Sequence, residues 1–220
     1  MSQANSFQWK DPKNITVIGL AVLAVDVVWA SLGLLIQLVW GSRADFKGVP
    51  PEDLTPLQFL AAAHASFGLV CLLGGVVMVF WILRLSRNAH VLKGRSLTNA
   101  PIFAALWWYV IPFMSLFKPL ESLSEIWDAS AIDATRRKHN REVLAVWWGA
   151  LIVGGLLAYL SRILPHVGVL TDIKWTAAIL QSVAFGYAMK RISDMQLEKH
   201  PVVEFSDAEP ATSVLSRVAG

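Results

Sequence analysis

From Ile15 to Trp40 the chain runs for 26 residues with a single ionisable side chain, Asp26. A stretch that long and apolar suits a solvent without water, since roughly 20 such residues in a helix cover the hydrocarbon of a bilayer. Three more runs follow. Leu57 to Leu83 holds only His64 among its charged and histidine residues, starts after Thr55-Pro56 and stops at Arg84 and Arg87, a sound helix start and a basic end. Val143 to Leu164 follows a basic block, with Arg162 placed to snorkel outward. Trp175 to Met189 has only 15 residues, about 22 Å as a helix. It spans the bilayer if Lys174, Lys190 and Arg191 snorkel from its ends. With 55% hydrophobic and 16% charged residues, the chain is too apolar for an ordinary water-soluble domain. Its ten tryptophans gather near the ends of the apolar runs, where interfacial belts form.

A fifth segment, Ile102 to Phe117, contains "WWYVIPF" and resists the same reading. Pro112 removes a backbone donor and clashes with the preceding turn, at about 3 kcal/mol or more in a helix interior. Trp107, Trp108 and Tyr109 would lie mid-segment, where a spanning helix carries aliphatics. Basic residues decide. If this segment crosses, the two sides hold 8 and 11 lysines and arginines; if it does not, they hold 15 and 4, or 14 and 4 without the remote Arg217. The positive-inside rule selects the second arrangement.

The expectation is therefore an all-α integral membrane protein with four transmembrane helices, 15–40, 57–83, 143–164 and 175–189. A re-entrant or interfacial proline- and tryptophan-rich element occupies 100–117, entering from the cytoplasmic side and covered by the other helices. After Pro119, a stripe of Leu120, Leu123, Trp127, Ala131 and Ala134 predicts an amphipathic helix over 119–138 at the cytoplasmic membrane surface. One membrane domain, 15–197, thus lies between a cytoplasmic N-terminal 1–14 and a disordered cytoplasmic tail, 198–220. Lys10 and Lys13 precede a run far longer than the roughly 7–15 residues of a signal h-region, so it reads as a retained signal anchor. Two rows of small residues, Ala150, Gly154 and Ala158, and Ala178, Ser182 and Gly186, predict close helix contacts.

The stretch 81–130 also carries a pattern: Trp81, Arg84, Asn88, Pro101, the pair Trp107 and Trp108, then Pro112, Phe113, Lys118, Pro119 and the run Glu125, Ile126, Trp127. It resembles family 4328 of the domains of unknown function, an uncharacterised bacterial membrane family, and "VWWGALIV" at 146–153 is similar to that family's next helix. The resemblance covers roughly 57–190. The chain departs from it at Ser115, where members often have asparagine. The resemblance implies a multi-helix protein of the bacterial cytoplasmic membrane and no known activity.

Chemistry has few places to sit. Asp26 lies near mid-bilayer, about 16 Å along its helix from Ile15. A carboxylate there costs roughly 2.5–3.5 kcal/mol on insertion scales, and no partner stands one turn away. Gln181 and Ser182 are at matching depth. Asp26 is either a proton- or cation-linked site or an aspartic acid hydrogen-bonded inside the bundle. On the cytoplasmic side, Arg84, Arg87 and Asn88 share one helix face, and Glu121, Glu125 and Asp128 share another. Pairing of Arg84 or Arg87 with Glu121 or Glu125 would clamp the re-entrant element, and a ligand cleft or carboxylate metal site is the sharper alternative. Arg136, Arg137, Lys138 and Arg141 form a block suited to anionic lipid headgroups rather than nucleic acid. His64 reads as a bundle residue rather than a ligand.

No nucleophile elbow, zinc-protease helix, paired-cysteine motif, phosphate loop or dinucleotide glycine pattern occurs, and the five histidines stand far apart. Cys71, the lone cysteine, excludes an intramolecular disulfide. No metal or cofactor is implied. The reading is a binding, interaction or structural module rather than an enzyme, with membrane lipids, copies of itself or other membrane proteins as partners. The alternative is a small ion or solute transporter or channel component using Asp26 and the re-entrant segment.

Overall fold

The computed structural model describes residues 8–40, 55, 67–93, 97, 111, 113–133, 135, 138, 140–164 and 168–208. His64, Pro101, Trp107, Trp108, Pro112, Arg136 and Arg137 lie outside them, as does most of the expected re-entrant element. Among the described residues the elements are five α-helices and one short 3-10 helix (Met114–Leu116): α1 (Lys13–Trp40), α2 (Phe67–Lys93), α3 (Lys118–Ser130), α4 (Glu142–Ile163) and α5 (Gly168–Ala208). No strand occurs among the described residues, so the all-helical class is as the sequence implies.

Two of these helices are long and apolar enough to cross a membrane, Lys13–Val39 and Glu142–Ile163. Only 17% and 22% of their most apolar windows are buried in the protein, whereas a core helix of a soluble domain would be mostly covered. Four runs have that character by sequence; the other two fare differently. Residues 57–66 lie outside the described set, so α2 enters at Phe67. α5 mixes its apolar run with Asp172, Lys174, Lys190 and Arg191.

The chain divides into two units. The first takes the described residues within Met1–Thr16, Trp81–Arg141 and Lys190–Gly220, and the second those within Val17–Phe80 and Glu142–Met189. In the first unit, Trp81 and Leu85 of α2, Leu123, Ile126 and Trp127 of α3, and Ile192 and Met195 of α5 are all buried. This corrects the placement of α3. Its apolar stripe faces the protein's own core, not a membrane surface, because the first unit supplies enough apolar partners to cover it. Exposed apolar surface lies just upstream instead, on Phe113, Met114, Leu116 and Phe117. Phe113 has φ 64°, a left-handed conformation that costs a bulky residue about 1–2 kcal/mol.

α3 also ends at Ser130 rather than near 138. The Ser130 hydroxyl donates back to the Ile126 carbonyl at 2.7 Å, and Ala131 is extended. The Lys199 ammonium then donates to the carbonyls of Ala129 (2.6 Å) and Ala131 (3.1 Å), a cation at the negative end of a helix. Lys199 can do this because α5 does not stop at Met189. It continues to Ala208, through Pro201, where a tail from Glu198 is the reading from sequence. Ile192, Met195, Gln196 and Lys199 recur at helical spacing, and the first three are buried, so the extra turns are held by packing.

In the second unit the small residues let helices approach. A Cβ on Gly154 would lie 3.6 Å from that of Ala177, and one on Gly186 would lie 3.5 and 3.6 Å from the methyls of Leu20 and Leu23. Both are ordinary contact distances, with no room for more. Gly186→Ala should therefore leave thermal unfolding in detergent unchanged or slightly raise it. Gly186→Leu should destabilise the protein by about 1–3 kcal/mol through overpacking.

Candidate functional site

Asn88, buried in α2, organises the first unit. Its Oδ1 accepts from the Lys10 backbone N–H at 3.2 Å, and its Nδ2 donates to the Lys10 carbonyl at 2.8 Å and to Gln196 Oε1 at 3.1 Å. Gln196, on α5, donates through Nε2 to the Leu85 carbonyl (3.0 Å) and to Ser130 Oγ (3.2 Å). Both amide hydrogens of each side chain are thus used, and no donor in the set is left over. Nearby, Trp81 donates from Nε1 to Thr16 Oγ1 at 3.2 Å, and Arg84 donates to the Asp11 carbonyl at 3.0 Å. Asp11 accepts the Lys13 N–H at 2.8 Å, opening α1. Trp9 stacks on His200 with ring centroids 4.2 Å apart.

The acidic stripe does not meet the arginines as the spacing implies. Glu125 pairs with Lys93 at 3.2 Å, Glu121 with Lys118 of its own helix at 2.6 Å, and Asp128 with Arg141 at 3.5 Å. Lys93 is nine residues beyond Arg84, about 13.5 Å further along α2, and α3 packs at that end. Arg84 serves the N-terminal segment instead, and the half-buried Arg87 is not in the pair. The three carboxylates answer three different cations, and no group of three metal-ligating side chains is present among the described residues. Lys118 and Pro119 start α3, and Lys138 and Arg141 stand exposed before α4.

The second unit is different. A cavity of about 530 Å³ opens between α1, α2, α4 and α5, lined mostly by apolar side chains. Gly74, Gly75, Gly154 and Gly155 form parts of its wall that carry no side chain. Trp147, Trp175 and Phe185 present aromatic surface, and Trp147 packs on Phe185 with centroids 4.8 Å apart. Asp26, Gln181 and Lys174 are the polar residues lining it. Asp26 and Gln181 line the same cavity, and Asp26 Oδ1 has no hydrogen-bond partner; Ser182, one residue on, is buried and is not part of that lining. Lys174 lines it too, with its Nζ 4.2 Å from the centroid of the Trp175 ring, rather than reaching away from the helix end.

Two polar atoms of this lining, Asp26 Oδ1 and Trp147 Nε1, are buried without a hydrogen-bond partner. Gly74 packs beside Asp26, and a Cβ there would sit 3.7 Å from its Oδ2, an ordinary contact. Neither Trp147 nor Lys174 stands out in the sequence as a site residue. A tryptophan away from the run's very end and a lysine just ahead of an apolar run were the available signals.

Fold and site together define a helical protein with two helices long and apolar enough to cross a membrane, a hydrogen-bonded amide network in one unit and an unsatisfied carboxylate beside the cavity of the other. The profile of the domain of unknown function DUF4328 matches residues 56–195, and the chain belongs to that family. No curated protein matches the chain, and no solved structure matches it. Of the described residues that carry the family pattern, Trp81, Asn88, Ile126 and Trp127 are buried in the first unit, whereas Phe113 is exposed.

Because the network is closed, Asn88→Ala should act on stability. It strands the Lys10 backbone and one side of Gln196, for a loss of about 2–4 kcal/mol in denaturant or thermal unfolding. Asn88→Asp should lose a similar amount, since a carboxylate cannot donate to Gln196.

Proposed function

We propose that the protein is a four-crossing integral membrane protein of the cytoplasmic membrane that acts by binding rather than catalysis. Its ligand site is the cavity of the second unit. The Asn88–Gln196–Ser130 network carries the threading. Lys10, Asn88, Ser130 and Gln196 join within 3.2 Å, which supports a threading in which the N-terminal segment, the end of α2, α3 and the end of α5 share one compartment. A chain with a fifth crossing over 100–117 would put Ser130 across the bilayer from Asn88.

The division of the chain supports the same reading. Residues 17–80 and 142–189 make up the second unit, and each is long enough for an outward and a return crossing. The first unit's segments then hold 15 of the 19 lysines and arginines, the cytoplasmic excess expected of such a protein. Exposed Phe113, Met114, Leu116 and Phe117, followed by Lys118, suit an interfacial element ahead of α3, with lipid covering the aromatic and aliphatic side chains. The basic block of Arg136, Arg137, Lys138 and Arg141 contacts anionic headgroups on that side. The unpartnered Asp26 oxygen in the cavity favours a second reading, passage of an ion or small solute through the second unit.

Thr135 is exposed and reports the threading. In a Cys71→Ala, Thr135→Cys protein, an impermeant maleimide should label only inverted vesicles or permeabilised cells. Labelling of intact cells while the N-terminus stays shielded would overturn the four-crossing arrangement.

A further inference from the structure

We infer that the cavity of the second unit binds an amphipathic amine, a compact apolar body carrying one positively charged nitrogen that pairs with Asp26. The inference rests on the reading of this cavity as the ligand site and names the chemistry that fills it. Three features converge. The space, about 530 Å³, has a mostly apolar lining and glycine walls, which favours a compact apolar body over a hydrated ion. Asp26 lines that space, and its Oδ1 is covered by protein without a hydrogen-bond partner, so the carboxylate lacks a donor, which a ligand supplies at the side that lines the cavity, and a charged donor forms the stronger bond. Trp147, Trp175 and Phe185 belong to the same lining, and their rings suit the apolar body.

Lys174 sets the orientation. Its ammonium sits over the Trp175 ring and disfavours a second cation at that part of the lining. The ligand's nitrogen therefore lies at Asp26 and its apolar body against the glycines and rings. An anionic ligand would have to reverse this, meeting Lys174 while leaving Asp26 unsatisfied beside it.

Three probes with one body test this: aminoadamantane, adamantanol and adamantane carboxylate, titrated into the full chain in detergent at neutral pH. The amine should bind at least about tenfold tighter than the alcohol, the range of a charge-assisted hydrogen bond. Asp26→Asn should bring the amine down to the level of the alcohol without changing the alcohol, and Asp26→Glu should keep the preference. Equal binding of all three probes, absence of binding, or a preference surviving Asp26→Asn overturns the inference. So does a preference for the carboxylate that Lys174→Gln abolishes. The wild-type comparison stands even where a variant fails to fold. Thr135 labelling judges the threading separately, so the two readings fail on different measurements.

Discussion

The Asn88 side-chain amide bonded to both backbone groups of Lys10 is the contact on which the first unit depends. An amide that meets a peptide group edge to edge holds the chain just ahead of α1 the way a strand neighbour would, inside an otherwise helical protein. Gln196 extends the same geometry to α5, and Ser130 extends it to α3. Each bond is worth only about 0.5–1.5 kcal/mol net, yet the set has one arrangement in which every hydrogen is used. Such closure gives the unit a unique register that apolar packing around Trp81, Trp127 and Met195 would leave looser.

The two units differ in how they spend their polar groups. The first pairs most of them: carboxylates with Lys93, Lys118 and Arg141, amides with one another, and Lys199 with the open carbonyls at the end of α3, leaving Asp128 Oδ1 and Arg191 Nε buried without a partner. The second has fewer polar side chains along its cavity, and there Asp26 Oδ1 and Trp147 Nε1 are buried without a partner. A satisfied network resists change, whereas an unsatisfied carboxylate in apolar surroundings gains from any suitable donor that enters. That contrast moves the search for function away from the residues that carry the family pattern and toward the less conspicuous lining of the second unit.

Much of the helical layout is legible in the sequence. α1 and α4 begin and end within two residues of the apolar runs that imply them, because charge and apolarity change abruptly there. Gly154 and Gly186 sit at helix contacts as their four-residue rows imply. Asp26 stands out for the plain reason that it is alone. α5 is less legible: its lower turns owe their helicity to burial of Ile192, Met195 and Gln196, and a run with charges and Pro201 gives little local sign of that. The stripe on α3 is amphipathic by spacing, but spacing does not say whether lipid or protein covers it.

What the sequence by itself determined is the local form: long uncharged runs make helices with apolar outsides, and small residues mark where they approach. Only the tertiary structure decided the partners. Arg84 and Lys93 are both basic, both on α2 and nine residues apart, and nothing local distinguishes which one meets Glu125. Side-chain pairing depends on where two helices cross, which is set by packing over the whole interface. For the same reason Asp26, Gln181, Lys174 and Trp147, scattered over three helices, become one lining only when those helices come together.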